Sequence, residues 1–494
     1  MTAVRAEGTS SPKCTQSGMA TPMVRVGGGA GPGGGAPGPG FSYRPTSVHS
    51  SVPPDIVKAS LPPVPLHGET GEDFSVNWAT IGHPIMSSFK NPAWLPFSVS
   101  EAASAGDATG QDLESGQAWN HLLDTLRRSG EVVLSDAVPN DPVDMASGFR
   151  HLLVLLGVGI DELLRRGLDK VPAVKPSGMD AAYKWGMECP DCIYVGSALK
   201  GGTTYRLWGN RGTARYVGLQ VMSGMASSAN ALIDEFELGP NGEFEIILSG
   251  DPHEGNWLPL DENATVLVVR HFFYDWEHEV PVTMSIEPIS GPAAVEERPA
   301  AEPKAAMARQ VIALGDFVEE NLNFFLGFSN PEAPNTFLHP LDGTAMGAAA
   351  ENRPVIGSWK LAPDEALIIE VAPPEGLYWS YSLGNIWWET IDYGNRQSSL
   401  NGHQAVVDDD GKVRVVVAHQ DPGVANWLDT AGHSQGPIIL RCVRTDTAPV
   451  PSTSLVPFDR LAEELPSDTR WVTPDERAAA IEIRRKAVSR RFAR

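Results

Sequence analysis

The chain has 494 residues, 42% of them apolar and 20% charged, with a formal net charge of −23. That length predicts two or three domains, each large enough for its own core. The negative balance argues against nucleic acid or an anionic membrane as the main partner, because phosphate binding needs stripes of Lys and Arg.

No stretch reads as the roughly 18 uninterrupted apolar residues of a membrane span, since Arg150, His151, Asp161 and Glu162 break the longest apolar segment. No apolar leader is visible at the N-terminus, and four cysteines in so long a chain do not make a disulfide framework. The expectation is a soluble, cytoplasmic protein with neither metal nor cofactor.

In chain order, residues 1–75 are rich in Gly, Pro and Ser, with only Gly, Ala and Pro from Gly27 to Gly40, and are expected to be disordered. Residues 112–170 predict a small helical region. Trp119, Leu122, Leu123 and Leu126 share one helical face. Asp141-Pro142 starts a second helix, whose apolar face is Phe149, Leu152, Leu153, Leu156, Ile160 and Leu163. Residues 180–288 predict strands at Tyr205–Leu207, Arg215–Met222, Phe244–Leu248, Val266–Tyr274 and Val280–Ile286. A Pro/Ala/Glu-rich linker is expected over 289–304, then a second β-rich unit over 305–445 led by a helix from Ala305 to Phe325. Its strands fall near Ala366–Val371, Leu377–Leu383, Val413–His419 and Pro437–Arg444, with a hairpin turn at Asp408–Gly411. A C-terminal extension, 446–494, ends in a basic helix capped by Thr473-Pro474, read as a solvated helix end, with a docking tail as the alternative.

One motif occurs twice. Asp251-Pro252 followed by Asn256-Trp257-Leu258 returns as Asp421-Pro422 followed by Asn426-Trp427-Leu428, each after an apolar strand and before a strand carrying Arg270 or Arg441. The pattern predicts one β-rich unit duplicated. Recurrence favours a structural role: the Asn satisfies loop backbone, the Trp anchors the turn, and each Arg closes a strand end.

Tyr205-Arg206-Leu207-Trp208-Gly209-Asn210-Arg211-Gly212-Thr213 resembles the Y-R-I-x-G-x-R-G-T strand and turn of a family named only as domain of unknown function 1214 (DUF1214). Gly384-Asn385-Ile386-Trp387-Trp388-Glu389-Thr390 and Asn426–His433 resemble it as well, and the helical stretch Ala118–Leu134, followed by Gly148-Phe149-Arg150-His151-Leu152, looks like the N-terminal part of its actinobacterial members. The resemblance spans residues 112–445. It implies packed β-sandwich units with helical additions and no established activity. The chain departs from the family at Cys189-Pro190-Asp191-Cys192, where Asn-Pro-Asp-Asn is expected. The fold expected is mainly β, with two related β-sandwich (jelly-roll-like) units and a small N-terminal helical region.

Single-copy polar residues are the better candidates for chemistry. Trp387, Trp388, Glu389, Asp392, Tyr393, Arg396, Ser399, Asn401, His403 and His433 crowd the second repeat. Aromatic faces beside charged groups suit a polar or polyhydroxylated, carbohydrate-like ligand, with Trp387, Trp388, Tyr393, Arg396, Asn401 and His403 as its contacts. Glu389 or Asp392 with His433 makes a metal-independent hydrolase, lyase or isomerase the alternative. A structural, self-assembling protein is the third reading, with a homo-oligomer as partner. Cys189 and Cys192 have redox or half-zinc spacing but precede a strand, so they are read as incidental thiols. His271, Asp275 and Glu277 fall on one side of an expected strand and His278 on the other, a pattern that could gather a metal triad but is read here as a solvent-facing cluster.

Overall fold

The computed structural model describes residues 107–492 apart from 167–172, 177–178, 224–225, 292–302, 329–332, 342–347 and 350. The tail predicted over 1–75 and most of the linker predicted over 289–304 lie outside the described residues.

The repeated motif belongs to a repeated topology. After a short edge strand β1 (Lys175–Pro176), the first unit runs β2 (Cys192–Ala198), β3 (Thr204–Asn210), β4 (Tyr216–Ser223), β5 (Ala226–Leu232), β6 (Glu243–Ser249), β7 (Trp257–Pro259), β8 (Val266–Phe272) and β9 (Thr283–Ser290). The second runs β10 (Val355–Lys360), β11 (Glu365–Val371), β12 (Gly376–Leu383), β13 (Ser399–Asn401), β14 (Val413–Ala418), β15 (Trp427–Asp429), β16 (Gln435–Thr445) and β17 (Ser452–Pro457). The first unit's sheets are ordered β1-β2-β8-β4-β5 and β7-β6-β3-β9. The second unit's are β10-β16-β12-β13 and β15-β14-β11-β17, the same order with each strand replaced by its counterpart. Both units pair antiparallel except at one place, β6 with β7 and β14 with β15.

Period-two alternation places Tyr205, Leu207, Val217, Leu219, Phe244, Ile246, Leu267 and Val269 between the first pair of sheets. Leu367, Ile369, Tyr381, Leu383, Val413, Val415, Ile438 and Leu440 fill the second. Strand β14 is apolar on both faces because Val416 and Ala418 are covered by Leu461 and Leu465 around the short helix after β17. The second unit therefore ends at β17 and not at residue 445. The missed strand is polar and half exposed, so its pattern carries no hydrophobic signal.

The D-P-x-x-x-N-W-L frame makes the same bonds twice. Asn256 accepts from Glu237 N (2.8 Å) and donates to Glu237 O (2.9 Å) and Glu245 O (3.0 Å). Asn426 accepts from Val406 N (2.8 Å) and donates to Val406 O (2.7 Å) and Arg414 O (3.1 Å). Trp257 and Trp427 donate their indole N–H to Ser249 O and Ala418 O. The two arginines correct their expectation. Arg270 and Arg441 lie within their strands, not at strand ends, and face out of the sandwiches, Arg270 onto Gln220 and Arg441 onto Ser382 and the Met187 carbonyl.

The sandwiches meet through those outer faces. Tyr216 and Phe272 of the first pack on Tyr378 and Val443 of the second, with Phe272 stacked on Tyr378 at 4.8 Å. Asp191 is buried in this seam. It accepts from Trp276 Nε1 (2.6 Å) in the first unit and from Tyr378 Oη (2.6 Å) and Asn401 Nδ2 (2.8 Å) in the second.

Among the described residues, six α-helices complete the fold. Helix α1 (Gly110–Glu114) leads into α2 (Gln117–Val133) and α3 (Pro142–Arg166). These pack with α4 (Lys304–Phe328), tied by His121 to Asp316 (2.6 Å) and Arg128 to Glu319 (2.7 Å). Helix α4 thus joins the helical layer as well as leading the second unit. The buried stripes differ from the predicted ones. On α2 they are Ala118, Leu122, Thr125, Ser129 and Val133, the hydroxyls bonding carbonyls one turn back, while Trp119 and Leu123 are exposed. On α3 they are Asp144, Gly148, His151, Val154, Leu155 and Val158, while Phe149, Leu153 and Ile160 are exposed. Small and polar residues take the inner face because the helix lies against Trp387, and a Cβ at Gly148 would come within 2.5 Å of that indole. By length and composition α3 is apolar enough to cross a bilayer (mean hydropathy 1.4 over Pro142–Asp161), which corrects the expectation that no segment is; here it packs through Val154, Leu155 and Val158 into the helical core.

Helix α5 (Leu461–Glu464) precedes α6 (Pro474–Arg491), capped by Thr473 as predicted. The basic helix is not a solvated end. Arg477 bonds Asp421, Gln397 and the Val424 carbonyl, Arg484 bonds Tyr393 O and Ser399, and Arg491 bonds Pro190 O and lies 4.2 Å over Trp276. Seven-residue spacing puts all three on one face, and that face clasps both sandwiches.

Two consequences are measurable. Asp191→Ala strips the buried Trp276 indole N–H of its partner and takes one acceptor from Tyr378 and from Asn401, which keep Ser380 and the Phe273 and Tyr274 carbonyls, so unfolding by urea should show a loss of about 2 kcal/mol; a loss below about 1 kcal/mol would deny Asp191 its role in the seam. His271, inside the first core, is pushed from the ordinary 6.5 down to about 4, by burial first and then by the Arg211 charge. Its folded value lies below the unfolded one, so it favours the fold fully above pH 6.5 and less as pH falls from 6.5 towards 4, by up to about 1.4 kcal/mol per pH unit. His271→Leu should flatten that part of the stability–pH curve.

Candidate functional site

The two units differ most between their third and fourth strands. In the first, β4 ends at Ser223 and β5 begins at Ala226; in the second, residues 384–398 separate β12 from β13. This insertion, together with α3, the segment before β2, the turn before β16 and α6, encloses a cleft of about 380 Å³. Its walls are Ser147 and Arg150 of α3, Ala181 and Lys184, Asn385, Glu389, Thr390, Ile391, Asp392, Gly394 and Asn395 of the insertion, Ala431 and His433, and Val488 of α6.

The insertion opens with a tight turn built on Asn385, whose Oδ1 accepts from Trp387 N (3.0 Å) and Glu389 N (3.2 Å). Trp388 holds φ +58, a left-handed conformation rare for a bulky residue. The turn delivers Glu389 into the cleft wall, only 1% exposed. Asn385 Nδ2 donates to its Oε2 (2.9 Å), and Arg150 Nη1 and His151 Nδ1 each lie 3.3 Å from Oε1. Burial pushes this carboxyl up, but His151, Arg150 and Asn385 together outweigh it and hold it below the ordinary value, so Glu389 is anionic at neutral pH.

His433 Nδ1 sits 2.6 Å from Oδ1 of Asp144, a fully buried carboxylate in the first turn of α3. With Asp144 ionised, Nδ1 carries the proton and Nε2 presents its lone pair, the arrangement of an oriented general base. Lys184 is buried as well, its ammonium 4.4 Å from the centre of the Tyr393 ring. Burial pushes its amine below the ordinary lysine value, against the pull of Glu188, Asp392 and Glu389; burial likewise pushes Glu188 up, against the pull of Lys184. Asp392 spends its oxygens on its own turn, accepting from Gly394 N, Asn395 N and Asn395 Nδ2.

Three residues expected to do chemistry, Glu389, Asp392 and His433, thus line one cleft. The expected ligand contacts do not. Trp387 is fully buried, donates to Asp144 O (2.8 Å) and stacks by His151; Trp388 stacks on Phe325; Tyr393 lies under Lys184. Asn401 is committed to Asp191 in the seam, Arg396 pairs with Asp429 (2.8 Å), and His403 is exposed beside Tyr274. Burial of large rings outweighs their use as a platform here, because the helical layer needs apolar surface to pack on. Sequence reasoning missed Asp144, Arg150, Lys184 and Asn385. Asp144 carried one signal, an acid in the first turn of a predicted helix; the others carried none, since their partners lie more than a hundred residues away, or, for Asn385, in an irregular turn.

The remaining candidates resolve plainly. Cys189 and Cys192 are free and buried, Cys189 3.2 Å from Tyr378 Oη with its thiol pushed up to about 11 by burial. His271 points into the first core, Asp275 pairs with His278 (2.8 Å) and Glu277 is exposed beyond the strand end, so they do not converge; among the described residues no cluster of His, Cys, Asp and Glu could hold a metal.

The family profile described as protein of unknown function (DUF1214) matches residues 364–447, from β11 to the end of β16. A solved structure of an uncharacterised protein from Burkholderia cenocepacia is 32% identical, with a TM-score of 0.64, over 71% of this chain and 99% of its own. The chain belongs to the DUF1214 family. A Vibrio parahaemolyticus protein is 12% identical over 62% of this chain and 98% of its own, with a TM-score of 0.38. No curated protein matches the chain. In this DUF1214 protein the matched segment contains the insertion, Glu389 and His433, while Asp144, Arg150 and Lys184 come from outside it.

Proposed function

We propose that the cleft binds a polar small molecule, with a polyhydroxylated compound the best fit. The observation that carries this is the convergence of buried Lys184, Glu389 and His433 on one concavity of about 380 Å³, a size and polarity that suit a small ligand. Ser147, Lys184 and His433 offer hydroxyl, amine and imidazole groups to such a ligand. A stacked sugar ring is not part of the reading, because Trp387 and Trp388 lie in the core.

The Asp144–His433 contact favours a second reading, an acid–base enzyme of the hydrolase, lyase or isomerase type with His433 as base. A histidine oriented through Nδ1 by a buried carboxylate is the arrangement such chemistry uses.

The native mass of the protein from its own host should exceed its denatured mass by a few hundred daltons per chain. His433→Ala and Glu389→Gln should each release that excess; an excess retained in both variants places the ligand elsewhere and ends the cleft reading. An enzyme would turn the released compound over, with turnover lost in His433→Ala, whereas a binder would return it unchanged.

A further inference from the structure

Lys184 is buried to 4% exposure, yet its amine makes no hydrogen bond or ion pair with the described residues. Its stem is packed in the protein and its neighbour is the Tyr393 ring. A buried ammonium normally meets its donors with acceptors, because leaving them unmet is costly. Of the carboxyls around it, Glu389 is occupied by Asn385, Arg150 and His151 and Asp392 by its own turn, while buried Glu188, with Oε1 unbonded, acts on the amine through its charge without a hydrogen bond to it. Lys184 lines the cleft.

The ligand group that would complete it is constrained by charge. Asp392 and Glu389 act on the amine electrostatically, with Arg150 opposing them, so an anionic group approaching it meets two carboxylates of its own sign. A neutral carbonyl meets no such opposition. A lysine amine buried beside an aromatic ring, desolvated rather than exposed, is also the form in which lysine becomes a nucleophile.

Resting on the cleft reading above, we propose that Lys184 condenses with the carbonyl carbon of a small hydroxylated aldehyde or ketone to hold it as an imine. The nitrogen lone pair forms the C–N bond and a proton from nitrogen passes to the carbonyl oxygen, giving a carbinolamine. Loss of its hydroxyl with a second nitrogen proton, as water, leaves the C=N bond. No oxidant or reductant is consumed. Ser147 and His433 line the same cleft, where they face the ligand's hydroxyls.

The test uses the full-length wild-type protein with D-glyceraldehyde and sodium cyanoborohydride at neutral pH, which reduces any imine to a permanent adduct. Peptide mapping should find the first three-carbon adduct on Lys184, formed saturably and at least about tenfold faster than on exposed Lys360 or Lys486, as activation by desolvation requires. Labelling of Lys184 no faster than of those exposed lysines overturns the inference. Saturation-transfer NMR with the same aldehyde, without reductant, separates the two readings. Saturable binding with no Lys184 adduct overturns the imine and leaves the cleft reading standing. Neither binding nor adduct overturns both for hydroxylated carbonyl compounds.

Discussion

The carboxylate of Asp191 is the point on which the two halves of this protein are joined. It sits in a seam of Tyr, Phe and Val side chains and takes hydrogen bonds from Trp276 on one side and from Tyr378 and Asn401 on the other. Apolar packing alone would let two sheet faces slide, since the hydrophobic effect has no direction. Three directional bonds to one buried acceptor fix their registry. The flanking Cys189 and Cys192 act in the same seam as small apolar groups, which explains how thiols can stand where the family pattern expects asparagines.

Helix α6 extends that constraint across the surface. Its three inward arginines each end on carbonyl or carboxylate oxygen, and two of them, Arg484 and Arg491, also lie over Trp276. Guanidinium groups suit this position because they bond in a plane while presenting a weakly hydrated face to an aromatic ring. A helix that composition marks as a charged tail therefore becomes part of the core, and Val488 on it closes one wall of the cleft.

Duplication and asymmetry divide the labour. Everything that recurs, the strand order, the parallel β6–β7 and β14–β15 pairs and the Asn-Trp turn, maintains the sandwich. What occurs once, the 384–398 insertion, carries Asn385, Glu389 and Asp392. The insertion is held open by contacts from outside the repeat: α3 supplies Arg150, His151 and Asp144, and the segment before β2 supplies Lys184. The second sandwich alone would have Glu389 without its counter-charges and His433 without its orienting acid.

Periodicity and recurrence were enough to read the β-rich architecture, the duplication, most strand positions, the capped α6 and the presence of Glu389, Asp392 and His433 near one another. Those features are local, or repeat along the chain, so the order of residues encodes them directly. The sequence did not reveal which helix faces turn inward, that Trp387 and Trp388 serve the core, that β17 completes the second unit, or that Asp144 and Lys184 belong to the cleft. Each of these depends on surfaces brought together from distant segments. An exposed Leu153 and a buried Asp144 on one helix have the same local propensities whichever way the helix turns; only the indole of Trp387 waiting opposite Gly148, and the imidazole of His433 opposite Asp144, decide the orientation.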